Sequence, residues 1–180
     1  AVGLYEMSRR RAAGEDVGWG GAFGVLASPS LSALIVLGAA LLALFLLWIG
    51  AAAAIYGATL GPEPPASIAA FAADVVGTGA GWAMIVVGCA VGFVFAALVL
   101  AVSVVSFPLL VDRQVGVVTA AVTSVRFARA NPRPVAAWGA IVATGLILGT
   151  LPLFLGLILV MPVLGHATWH LYRASVTSVR

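Results

Sequence analysis

The sequence predicts an all-α protein, a polytopic transmembrane helical bundle with about four spans, on hydropathy and span-length grounds. Three observations carry this expectation. Of 180 residues, 63% are hydrophobic and only 8% are charged, whereas a soluble domain is roughly a quarter charged. The apolar residues are gathered into long uncharged runs. The basic residues, all nine of them arginine, stand at the ends of those runs.

The first run covers residues 32–57. As a helix it would reach roughly 39 Å, against about 30 Å for the hydrocarbon core of a bilayer. The second run covers 81–108, with Pro108 expected to stop the helix because its ring clashes with the preceding turn. From Pro134 to Tyr172 no Asp, Glu, Lys or Arg occurs. That stretch is too long for one span and suits two, near 135–149 and 152–172. Gly149-Thr150-Leu151-Pro152 is the expected turn between them, and Pro162 is expected to kink the last helix. A re-entrant pair that turns back within the bilayer is the alternative. The whole chain, 1–180, reads as one membrane domain.

Arginine placement sets the expected orientation. Arg9, Arg10 and Arg11 precede the first run, Arg113, Arg126, Arg129 and Arg133 follow the second, and Arg173 and Arg180 follow the last. The connection over 58–80 carries only Glu63 and Asp74. By the positive-inside rule, the arginine-rich loops and the C-terminus are cytoplasmic in a multi-pass protein. The formal charge of +3 is thereby accounted for by topology, and no nucleic-acid partner is expected, since that needs a basic patch on an accessible face.

Two connections are expected to be helical. Asp112 can cap a helix over about 113–130, in which Val115, Val118, Val122 and Val125 recur at helical spacing. Such a helix either packs under the bundle or lies on anionic lipid with its arginines at the headgroups. On the other side, Pro62, Pro64 and Pro65 stiffen the loop. Ile68, Phe71, Ala72 and Val75 then suggest a short interfacial helix near 67–76.

Chemistry-bearing residues are sparse. No Asp, Glu, Lys or Arg falls within an expected span, which disfavours a proton-driven carrier, because charge relays need such groups at depth. His166 and His170 are four residues apart and share a helix face. They can chelate one metal ion, or one of them can serve as a single haem ligand. Alternatively they belong to a membrane-surface belt with Trp169, Tyr172 and Arg173, as Arg113, Arg126, Arg129 and Arg133 do elsewhere. Cys89 is expected to be a small packing residue. Gly88/Gly92 and Gly145/Gly149 have the Gly-x-x-x-Gly spacing that lets helices approach closely in lipid. The sequence contains no nucleotide-binding glycine loop, Gly-x-Ser-x-Gly elbow or His-Glu-x-x-His motif. No catalytic residues and no enzyme activity are expected, and no cofactor, with haem or a metal ion as the alternative.

Three stretches together, AVGLYEMSRRR at the start, SFPLLVDRQVG over 106–116 and LGHATWHLYR over 164–173, resemble an uncharacterised bacterial family of predicted integral membrane proteins, domain of unknown function 2189. Some of its members are labelled putative cytochrome c oxidase. Two histidines are fewer than an oxidase catalytic subunit needs. The resemblance implies a six-span parent in a bacterial inner membrane, with a further hydrophobic hairpin ahead of Ala1. It supplies no catalytic residues. The leading expectation is a non-enzymatic accessory or structural subunit that packs in the lipid bilayer with other membrane-protein subunits, a respiratory complex among the candidates. A haem- or metal-binding redox protein using His166 and His170, and a passive or lipid-handling carrier, are the alternatives.

Overall fold

The computed structural model describes residues 2–12, 14 and 28–177; Ala1 and Arg180 lie outside them. Among the described residues every regular element is a helix: α1 (Val2–Ala12), α2 (Leu31–Thr59), α3 (Ile68–Gly77), α4 (Gly79–Ser103), α5 (Ser106–Asp112), α6 (Val117–Ala130), α7 (Pro132–Thr150) and α8 (Leu157–Thr177). Three segments are long and apolar enough to cross a membrane: Leu31–Thr59, Gly79–Asp112 and Pro132–Thr150. The chain divides into two compact units, residues 1–38 with 100–180, and residues 39–99.

In the first unit, α1, α5, α6 and α8 meet with the first turns of α2. Tyr5, Leu37, Leu109, Leu110, Ala120, Trp169 and Tyr172 form the centre of the packing. Trp169 and Tyr172 were expected at a membrane surface. They lie in this core instead, each 1% exposed. Their rings meet at a tilt of 48° with a 5.6 Å centroid distance, and the Tyr172 hydroxyl is satisfied internally by Asp112 at 2.7 Å, so burial does not orphan it.

The expected boundary at Pro108 falls elsewhere. The long apolar helix breaks at Val104–Val105, and Pro108 sits in the first turn of α5. A proline clashes with the carbonyl four residues before it but is tolerated in a first turn, so the break lies upstream of the proline. Ser124 of α6 repairs it. Its Oγ donates to the Ala101 carbonyl at 2.7 Å and accepts from the Val105 N–H at 3.1 Å. Ser106 Oγ likewise donates to the Val102 carbonyl.

Helix α6 also differs from expectation. Its N-cap is Gly116, with no side-chain capping bond; Asp112 ends α5 and is held by Tyr172. The valine stripe is only partly packed: Val115 packs against the core and Val125 is half-buried, but Val118 and Val122 are exposed, while Ala120 and Ser124 are fully buried. Ser124 must reach the broken backbone of the neighbouring helix, and only small side chains fit that close an approach. Arg113, Arg126, Arg129 and Arg133 are all exposed.

Helices α7 and α8 form a hairpin. Gly149, expected in the turn, is helical, and the turn runs over 151–156. Leu153 and Phe154 adopt left-handed conformations there, at φ 51° and 66°. A β-carbon placed on Gly156 would lie 2.9 Å from the Gly149 Cα and carbonyl oxygen, so this pair closes the hairpin by backbone contact. Gly145 and Gly149 face Val160, Leu164 and Leu157. The stretch expected as a fourth span, 152–172, is thus divided between this turn and α8, which is not among the three segments above.

In the second unit, Ser67 caps α3 by accepting the Ala70 N–H at 3.0 Å. Thr78 closes α3 and opens α4: its Oγ1 donates to the Asp74 carbonyl at 2.7 Å and accepts the Gly81 N–H at 2.9 Å. Gly81 admits no side chain, because the Val75 and Asp74 carbonyls occupy that space. Tyr56 donates to the Glu63 carbonyl at 2.7 Å and so ties α2 to its following loop. Gly88 faces open space, and Gly92 meets only the Trp48 indole at 3.6 Å. Cys89, expected to pack, is exposed.

Candidate functional site

The functional candidates converge where α1 lies against α8 and α5. Gly165 permits the approach, since a β-carbon there would stand 2.7 Å from Leu4 Cδ1 and 3.2 Å from its Cβ. One turn along α1, Ser8 meets His166, with Oγ and Nδ1 2.5 Å apart. Ser8 also donates its only hydroxyl hydrogen to the Leu4 carbonyl at 2.9 Å, a bond common for helical serines. His166 Nδ1–H is therefore the donor to Ser8, and Nε2 is left for a ligand.

The three consecutive arginines of α1 have different surroundings. Glu6 is 6% exposed. It accepts from Arg9 Nε and Nη2 at 2.8 and 2.7 Å, and from Arg10 Nε at 2.8 Å. The hydrogen bond from Arg9 holds the Glu6 carboxyl below its ordinary range, against the opposing effect of burial and with help from Arg10. Arg9, Arg10 and Glu6 line a polar cavity of about 290 Å³ shared with Ser28, Ser30 and Arg113. Arg11 lies outside that arrangement.

Instead Arg11 lines a second cavity, of about 330 Å³, with Ser8, His166, Trp169 and His170. The two histidines singled out in the sequence are thus brought into one pocket, His166 half-buried and His170 exposed. Among the described residues, no group of three or more His, Cys, Asp or Glu side chains could hold a metal ion. The fixed charge of Arg11 beside the imidazoles opposes a cation there. Sequence reasoning missed Ser8 and Arg11 as partners of the histidines. Their signal is the spacing Leu4, Ser8, Arg11, which places all three on one face of α1.

Over residues 1–112 the chain matches the family described as "Predicted integral membrane protein (DUF2189)". The chain belongs to this family. It is accordingly an integral membrane protein, as its apolar helices require. In this DUF2189 protein the matched region supplies α1 to α5, including Ser8 and Arg11, while His166 and His170 lie beyond it. The pocket therefore joins the family region to the helix at the other end of the chain. No curated protein and no solved structure matches the chain.

Proposed function

We propose that this DUF2189 protein is a non-enzymatic subunit of the bacterial inner membrane that packs against other membrane proteins, with a respiratory complex as a candidate assembly. The observation that carries this reading is the uncovered face of α4. In the most apolar stretch of 79–112 no residue is buried, and Gly88 stands in open space. The other glycine pair, Gly145 and Gly149, is used inside the α7–α8 hairpin. Lipid chains cover apolar surface equally well with or without glycine, whereas a second helix gains close backbone packing from it. The arginine loops, with Arg113, Arg126, Arg129 and Arg133 exposed, face the cytoplasm in this reading.

Purification from native membranes in mild detergent tests it. A defined partner is expected to accompany the wild-type protein and to be lost in Gly88→Leu, whose added β-carbon meets nothing within 4 Å among the described residues. An isolated monomer under the mildest extraction, or a partner that Gly88→Leu does not displace, counts against the proposal.

A further inference from the structure

We infer that the pocket between α1 and α8 binds a phosphate-bearing anion, and that its occupant is the headgroup of an anionic phospholipid. The inference goes beyond the subunit reading and stands whether or not a partner is found.

Charge is the first argument. Glu6 draws in Arg9 and Arg10, but the cavity that Arg11 enters is lined, among the described residues, by Ser8, His166, Trp169 and His170, and none of these is a carboxylate. A guanidinium offers paired donors matched to phosphate oxygens. The Ser8 contact fixes His166 with Nε2 turned away from α1's hydroxyl. His170 lies one turn on, on the same face of α8. Arg11 thus supplies the charge that favours an anion, and His170, whose neutral ring carries one N–H, can add a donor.

The second argument separates lipid from free phosphate. Leu159, Val163, His166 and His170 recur at spacings of four, three and four, and so form one stripe along α8. Its apolar half is uncovered, with Leu159 74% and Val163 65% exposed. A different face of α8 is taken by α7, through Leu157, Val160 and Leu164. Acyl chains can therefore lie along Leu159 and Val163 while the headgroup reaches Arg11 and His170. Basic pockets between membrane helices bind anionic headgroups in this way.

The test is native mass spectrometry of the full chain in mild detergent, titrated separately with phosphatidylglycerol, phosphatidylcholine and inorganic phosphate. Phosphatidylglycerol is expected to be retained over phosphatidylcholine. The double variant Arg11→Gln/His170→Gln should weaken that retention by about tenfold or more, the loss expected for charge-assisted contacts. Both residues are exposed, so unchanged thermal unfolding serves as the folding control. Arg126→Gln removes an equal exposed charge from α6 and should have a much smaller effect. Displacement of the lipid by millimolar phosphate in the wild type alone would keep the anion site and assign it to free phosphate. Equal retention by wild type and double variant, or equal loss in Arg126→Gln, would overturn the proposal.

Discussion

Tyr172 of α8 donates its phenolic hydroxyl to Asp112 Oδ2 at the end of α5, at 2.7 Å. The pair is sixty residues apart in sequence, and Tyr172 is among the most deeply buried side chains. It fastens the C-terminal helix to the end of the segment that begins with α4, and it fixes the helix that carries the histidines. Tyr172→Phe keeps the packing and removes the bond. A loss of about 1.5–3 kcal/mol is expected, as a hydrogen bond to a charged acceptor is broken. Thermal unfolding in detergent should show it, and a variant as stable as wild type would mean that the bond contributes nothing.

Ser124 should matter more than its size suggests. Ser124→Ala leaves the Ala101 carbonyl and the Val105 N–H without their partner at the helix break. Two buried backbone groups left unsatisfied should cost roughly 2–4 kcal/mol. Thr123→Ala, on the exposed side of the same helix, should change stability by less than about 0.5 kcal/mol. Chemical unfolding of the two variants side by side measures the difference.

The hairpin glycines are not equivalent to the open one. Gly156→Ala forces a β-carbon against the Gly149 backbone, which cannot yield as a flexible side chain can. Overpacking of this kind costs about 1–3 kcal/mol. Gly88→Ala meets nothing and should leave the monomer unchanged or slightly more stable, since alanine is the better helix former by roughly 1 kcal/mol. Equal melting temperatures for the two variants would contradict the close approach.

Glu6 confers an acid limb on stability. Its folded pKa is lowered, chiefly by the Arg9 hydrogen bond, so the folded state binds its proton less readily than the unfolded chain does. The stabilisation is complete above the ordinary carboxylate range, around pH 4–5, and is lost as pH falls through the lowered folded value. Glu6→Gln should flatten this limb below about pH 5 while lowering stability at neutral pH. Melting curves between acid and neutral pH test the sign.

Much of the fold was legible because membrane helices are written locally. The uncharged runs locate α2, α4 and α7 within a few residues, and the apolar periodicity after the prolines marks α3, whose Ser67 cap the structure adds. The misplaced details share one cause. Pro108 looked like a stop and Gly149 like a turn, because each was judged by its own conformational preference. Their neighbours decided otherwise: Ser124 mends the break ahead of Pro108, and Gly156 needs Gly149 inside a helix. Hydropathy ranks Val118 and Val122 above Ala120 and Ser124, yet the two valines are exposed, because close approach selects small side chains.

Taken by itself, the amino-acid order determined that this chain is helical and belongs in a bilayer. That conclusion needs only the transfer energy of successive side chains and the reach of a helix, both local quantities. It also singled out His166 and His170, since a spacing of four is a property of one helix. Only the tertiary structure decided that Ser8 and Arg11 share a cavity with them, that Glu6 occupies the other two arginines, and that Tyr172 points inward. These relations join residues up to 158 positions apart. They arise from which helix faces fit together, and a side chain's preference for lipid or water does not encode that.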